Sequence, residues 1–108
     1  MRELYIARNN QLRDRLYTSG DGLTWTALDL TAASDLTLQL YADPSSPQIE
    51  VTGLANFTVD ANGLAAWQPG ADDLTQEDLG TWNVRWIVET AEAPDGLVFE
   101  AEPVRICQ

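Results

Sequence analysis

Asp72-Asp73-Leu74-Thr75-Gln76-Glu77-Asp78-Leu79-Gly80-Thr81-Trp82-Asn83-Val84-Arg85-Trp86-Ile87-Val88-Glu89 is the stretch whose reading decides the fold. From Thr81 onward the pattern has a period of two, which is that of a strand. Trp82, Val84, Trp86 and Val88 fall on one face; Thr81, Asn83, Arg85 and, against the pattern, Ile87 fall on the other. Two indoles and two valines on one face have to be covered. A buried Trp removes roughly 150–250 Å² from water, an upper bound of roughly 4–6 kcal/mol per ring. The acidic turn before the strand ends at Gly80, a residue suited to a tight corner.

Working outward, Leu36, Leu38 and Leu40 alternate with Thr37, Gln39 and Tyr41, which predicts a second half-buried strand. Asp43-Pro44-Ser45-Ser46-Pro47 ends it, since proline cannot donate to a ladder. Ile49–Thr52 is a short strand closed by Gly53. Phe57–Asp60, Asn62-Gly63 and Leu64–Trp67 read as a hairpin with a type I′ turn. A short helical turn is expected within Asp72 to Asp78. After the long strand, Ala93-Pro94-Asp95-Gly96 turns the chain, Leu97–Glu102 returns, and Pro103 marks a bulge or a change of strand partner.

Upstream, Leu4–Ala7 is a β-type run followed by a turn at Asn9-Asn10. Leu12 to Thr18 reads as an edge strand with Leu12, Asp14 and Leu16 on one face and Arg13, Arg15 and Tyr17 on the other. Ser19-Gly20-Asp21-Gly22 is a turn, and Leu23–Leu28 a further short strand with Leu23, Trp25 and Ala27 on one face. No segment sustains a 3.6 period. Seven to nine short strands at regular spacing predict an all-β antiparallel sandwich of one domain over residues 1–108, with a small barrel as the alternative.

The composition removes most chemistry. The 108 residues include seventeen acids, six arginines, no lysine and no histidine, for a net charge of −11. Without histidine there is no imidazole base for a serine or cysteine nucleophile, and without lysine no Schiff base. One cysteine and no imidazole leave zinc and iron–sulfur sites without their usual ligands, and Cys107 alone allows no internal disulfide. Neither a P-loop nor a dinucleotide fingerprint is present. Asp72, Asp73, Glu77 and Asp78 are dense enough to suggest Ca²⁺ but lack calcium-loop spacing, so a solvated acidic corner is the preferred reading and no cofactor is expected. The expectation is a protein that is not an enzyme.

Four arginines against two acids leave the first fifteen residues at +2, while two arginines against fifteen acids leave the remainder at −13. Such a body repels phosphate backbones, which argues against nucleic acid. Arg2, Arg8, Arg13 and Arg15 form a basic edge able to steer docking onto an acidic neighbour or a second copy. The competing explanation is that arginines on edge strands discourage aggregation. Tyr17 and Trp25 are expected to be exposed, whereas Trp67, Trp82 and Trp86 are expected in the core. Tyr41 and Ile87 sit on the polar sides of their strands and mark a candidate contact patch. The N-terminus has no apolar leader and no run reaches membrane length, so the expectation is a soluble protein made without export.

The run Glu77-Asp78-Leu79-Gly80-Thr81-Trp82-Asn83-Val84 resembles the corner leading into strand F of immunoglobulin domains. The resemblance puts Val84 at the second cysteine position, with Leu38 expected as its partner on the facing sheet. A second resemblance spans roughly residues 4 to 106. An N-terminal hairpin is followed in order by Asp29-Leu30-Thr31, the strand Leu36–Tyr41, Asn62-Gly63 with Trp67, Leu79-Gly80-Thr81-Trp82, and the Asp95-Gly96 turn. This order is similar to the immunoglobulin-like N-terminal domain of bacteriophage baseplate upper proteins and related small prophage proteins. It implies a virion structural part, assembled in a bacterial cytoplasm and docked on other virion proteins. The chain ends at residue 108 with no fibre-forming extension, which leaves tail-tip, head–tail and capsid-decoration positions open beside the baseplate. A carbohydrate-binding module using Trp25 and Tyr17 is the alternative.

Overall fold

The computed structural model describes residues 1–19 and 21–108, so Gly20, assigned to a turn from the sequence, lies outside the described residues. Alternation carries most of the chain into strands: β1 (Arg2–Tyr5), β2 (Leu12–Arg15), β3 (Tyr17–Thr18), β4 (Thr26–Ala27), β5 (Asp35–Tyr41), β6 (Ile49–Thr52), β7 (Thr58–Val59), β8 (Leu64–Trp67), β9 (Gly80–Glu89) and β10 (Leu97–Cys107). The one-turn 3₁₀ segments Leu30–Ala32, Leu54–Asn56 and Gln76–Asp78 join them. A five-stranded sheet has the order β1-β10-β9-β5-β6, a three-stranded sheet the order β2-β8-β7, and β3 and β4 form a small ribbon. Separate sheets around one core make a sandwich and not a closed barrel. In immunoglobulin terms, β10-β9-β5-β6 over β2-β8-β7 reproduces G-F-C-C′ over B-E-D.

The decisive stretch folds as its pattern demands. Val84, Trp86 and Val88 are buried on β9, and half-buried Trp82 packs against the same cluster. Leu36, Leu38 and Leu40 on β5 are fully buried beside them. Trp67 from β8, Leu12 from β2, and Leu16 and Leu74 from the connecting segments complete the core. The expected helical turn shortens to Gln76–Asp78. Asp78 is buried there because its carboxylate accepts from the Thr75 backbone N–H at 2.8 Å and from Gln48 Nε2 at 2.9 Å. The Asp78 carbonyl in turn accepts from Trp82 Nε1 at 2.8 Å, so this corner positions the start of β9.

Pro103 has the larger consequence. β10 pairs with β9 over Leu97–Ala101, slips register, and resumes at Val104 opposite Trp82. The slip inserts one residue, and a one-residue shift moves side chains to the opposite face. Phe99 and Ala101 pack inward before it, and Val104 and Ile106 after it. Only the second half of β10 then gains β1 as another neighbour, with Arg2 opposite Val104 and Tyr5 opposite Cys107. Pro103 is therefore both a bulge and the point where β10 changes neighbours.

Three expectations are corrected. The first two strands do not pair as a hairpin: β1 runs parallel to β10, the one parallel pairing among the described residues, while β2 joins β8 in the other sheet. The Asn10 side chain takes over the turn, accepting from the Tyr5 N–H and donating to the Arg8 carbonyl, while Ala7 adopts φ +57°. Leu38 does not face Val84 across the sandwich. It lies on β5 within the same sheet, opposite Trp86, and Leu40 is the residue opposite Val84.

The Asn62-Gly63 turn is the third correction. Asn62 is not among the residues with positive φ, as type I′ requires; only Gly63 is, at +86°. Asp60 organises the loop instead, its carboxylate accepting from the N–H groups of Asn62 and Leu64. A Cβ on Gly63 would sit 2.5 Å from the Leu16 carbonyl oxygen, where the Leu16 N–H also bonds to the Gly63 carbonyl. Gly63→Ala therefore combines an unfavourable φ with a backbone clash and is expected to cost about 2–3 kcal/mol in urea denaturation. An unchanged midpoint would show that the contact is absent.

Candidate binding groove

Alternation along Leu12 to Tyr17 turns Leu12, Asp14 and Leu16 inward and exposes Arg13, Arg15 and Tyr17. Beyond β3, the chain is folded back by Asp21, whose carboxylate accepts from the N–H groups of Thr24 and Leu23 and from the Ser19 hydroxyl. The predicted strand over Leu23–Leu28 shrinks to Thr26–Ala27, and Leu23 and Trp25 are left exposed. Those three hydrogen bonds, led by the one from Thr24, lower the Asp21 carboxyl from 3.8 to about 2. Because its folded value is depressed, the turn's contribution is complete above 3.8 and is lost as pH falls through about 2. The Trp25 indole proton resonance should move with that lower midpoint. A midpoint near 3.8 would mean that Asp21 does not hold the loop.

Trp25 stands over a groove of about 460 Å³ between the two sheets, on the side where β1 fails to cover β10. One wall is Asp14, Arg15, Leu16 and Tyr17; the other is Phe99, Glu100, Ala101 and Glu102. Trp25 is 65% exposed and Tyr17 45%. Both rings were expected at the surface, and the fold brings them to one place.

A polar lock closes one end of the groove. Asp14 Oδ2 accepts from Trp86 Nε1 at 2.8 Å, and Asp14 Oδ1 accepts from Arg2 Nη1 at 2.7 Å. Arg2 also donates to the carbonyl of Arg13 on β2 and to that of Glu102 on β10. The strands tied through Asp14 and Trp86 are β2 and β9, the B and F positions that a disulfide joins in antibody domains. Arg2 is thus engaged by partners within the molecule, its side chain 21% accessible.

The other candidates scatter. Arg15 lines the groove and donates to the Asn62 carbonyl at 2.9 Å. Arg13 is exposed on β2, and Arg8 lies 4.6 Å over the Tyr5 ring in the turn after β1. Tyr41 and Ile87 belong to the outer face of the larger sheet, where Tyr41 is covered and Ile87 lies in register with exposed Val98. Tyr41 is only 7% exposed, lies under the Arg85 guanidinium, and donates to Glu100 at 2.6 Å. That carboxylate holds the Tyr41 hydroxyl above the usual phenol range. Arg85 is itself engaged by Gln39 and the Pro44 carbonyl, and Gln39 by Glu50. Ile87 is half-buried.

Phe99, Glu100 and Glu102 were missed as site residues. Their signal was Pro103, which marks where β10 changes neighbours and hence where its edge opens. No group of three or more Asp, Glu or Cys side chains gathers in a metal-holding arrangement among the described residues. Asp73 is turned back on its own loop, accepting from the Gly70 N–H. No helix among the described residues is long and apolar enough to cross a membrane. No protein-family model matches the chain, and no curated protein or solved structure matches it either.

Proposed function

We propose that the chain is a non-catalytic structural component of a bacteriophage virion, acting by docking on other virion proteins. The observation that carries the docking reading is the pair of exposed rings, Trp25 and Tyr17, on one groove of a small all-β domain. Aromatic residues with one accessible face are the usual anchors of protein contacts. The virion assignment rests on the ordered motifs from Asp29-Leu30-Thr31 to Asp95-Gly96 and their resemblance to baseplate immunoglobulin-like domains. The lack of histidine and lysine supports a role without catalysis. Purified virions of the phage or induced prophage encoding the chain should contain it in fixed stoichiometry. Its absence from intact particles would overturn the assignment.

Docking onto a second copy is part of the same reading. Arg13 and Arg15 are exposed on the basic edge, opposite in sign to the rest of the surface. Arg13→Glu with Arg15→Glu is expected to leave the melting temperature within a few degrees while lowering the mass of any self-assembled species at low salt. Unchanged oligomer mass would remove self-docking through this edge.

The same two rings support a second reading, a carbohydrate-binding module in which they stack on sugar faces. A glycan array that gives no signal, or equal signal from Trp25→Ala, would eliminate it.

A further inference from the structure

β10 is eleven residues long, yet β1 covers only Val104–Cys107. Over Leu97–Ala101 the strand has β9 on one side and, among the described residues, no strand on the other. Across the groove, β2 is the edge of its own sheet, paired with β8 alone. The groove thus lies between two open strand edges, in line with β1 and just beyond its end. Edge strands present rows of unsatisfied N–H and C=O groups, and such an edge binds an extended segment by main-chain pairing.

The geometry points to an extended, basic segment of a partner protein that enters this groove and adds as a strand to the Leu97–Ala101 edge of β10. The inference rests on the docking reading above and specifies its occupant. Charge selects the sign. The walls carry Asp14, Glu100 and Glu102 against one arginine, and the Glu102 carboxylate, 3.8 Å from Arg2 Nε, keeps its side chain 61% accessible. Arg15, the one cation on the wall, already donates to the Asn62 carbonyl and lies 3.9 Å from Asp60. Trp25 and Tyr17 present aromatic faces on which an arginine or lysine of the incoming strand can rest. Pairing has a fixed end: the Arg2 guanidinium occupies the Glu102 carbonyl and β1 blocks the edge beyond Val104.

The test is selection of a random peptide library, about twelve residues in length to span a strand with flanks, against the full chain. Enriched peptides should be rich in Arg and Lys with alternating apolar residues. Bound to labelled protein, they should slow exchange of alternate amides within Leu97–Ala101, and N-methylation of alternate peptide nitrogens should abolish binding. Trp25→Ala, at an exposed position, should weaken binding by about tenfold or more without altering the melting temperature, and Glu102→Gln, which removes the carboxylate but keeps a polar neighbour for Arg2, should weaken binding with the circular dichroism spectrum unchanged. Three results would overturn the inference: no enrichment, enrichment without basic bias, or bound peptides that leave the Leu97–Ala101 amides exchanging as in the free chain. Sugars that shift the Trp25 resonance while no basic strand binds would likewise overturn it and favour the stacking reading. The virion test is independent: a chain present in particles but failing this selection loses only the proposed occupant.

Discussion

Trp86→Ala is expected to leave a chain without a cooperative unfolding transition. Trp86 is fully buried at the centre of β9, flanked in register by Leu38 on β5 and Phe99 on β10. Phe57 meets its ring edge-on at a centroid distance of 5.5 Å. Deleting a buried tryptophan costs about 3–5 kcal/mol, and aromatic pairing and the lost hydrogen bond to Asp14 add to that. At the lower end of the about 5–15 kcal/mol typical of a domain, where one of 108 residues belongs, little or nothing remains. Trp82→Ala should cost less than Trp86→Ala, because Trp82 is only half-buried. Urea denaturation followed by circular dichroism separates the two, and equal losses would contradict the assigned depth of β9.

The second large effect is expected at Asp14. Its side chain is 15% accessible and serves two donors, the Trp86 indole from the larger sheet and the Arg2 guanidinium from β1. Asp14→Ala strands the indole N–H and takes the nearest carboxylate from Arg2, which keeps its bonds to the Arg13 and Glu102 carbonyls. A buried N–H without an acceptor, together with a half-buried guanidinium deprived of its closest carboxylate, costs about 2–4 kcal/mol, well above the value of an exposed ion pair. Asp14→Asn can still accept from Trp86 but loses the charge opposite Arg2, so a smaller loss of about 1 kcal/mol is expected. Denaturation midpoints ordered wild type, Asn, Ala support the lock; an alanine variant as stable as wild type would show that the sheets are held by apolar packing alone.

Where one face of a strand was apolar, the sequence was legible. The period of two predicted the buried Val84, Trp86 and Val88 on β9 and Leu36, Leu38 and Leu40 on β5, but not the burial of Gln39 on the other face nor that Trp82 is only half-buried; Ile49–Thr52 was read to the residue. Pairing was harder, because side-chain alternation does not encode which edge a short strand joins. Leu4–Ala7 and Leu12–Thr18 looked like a hairpin because they are adjacent in sequence. Asn10 and Ala7 instead send them to opposite sheets. Val84 and Leu38 both read as inward-facing residues, which alternation cannot assign to the same sheet or to facing ones.

The site was legible in part. Tyr17 and Trp25 were expected to be exposed and are; their shared groove depends on the Asp21 turn and on a strand edge contributed by residues about 75 positions later. Asp14 shares a face with Leu12 and Leu16, and no periodicity could reveal that Trp86 and Arg2 converge on it. Tyr41 misled because a polar-face tyrosine usually signals exposure. Here Arg85 from β9 covers its ring and Glu100 from β10, two strands away, accepts from its hydroxyl.

Amide hydrogen exchange along β10 tests the central claim most directly, that a sealed two-layer body leaves the Leu97–Ala101 edge of β10 open beside Trp25. Val104–Ile106, flanked by β9 and β1, should all exchange slowly, as should the inward half of β9, whereas alternate amides within Leu97–Ala101 should exchange orders of magnitude faster. Uniform slow exchange from Leu97 to Ile106, or fast exchange through Val84–Val88, would contradict it.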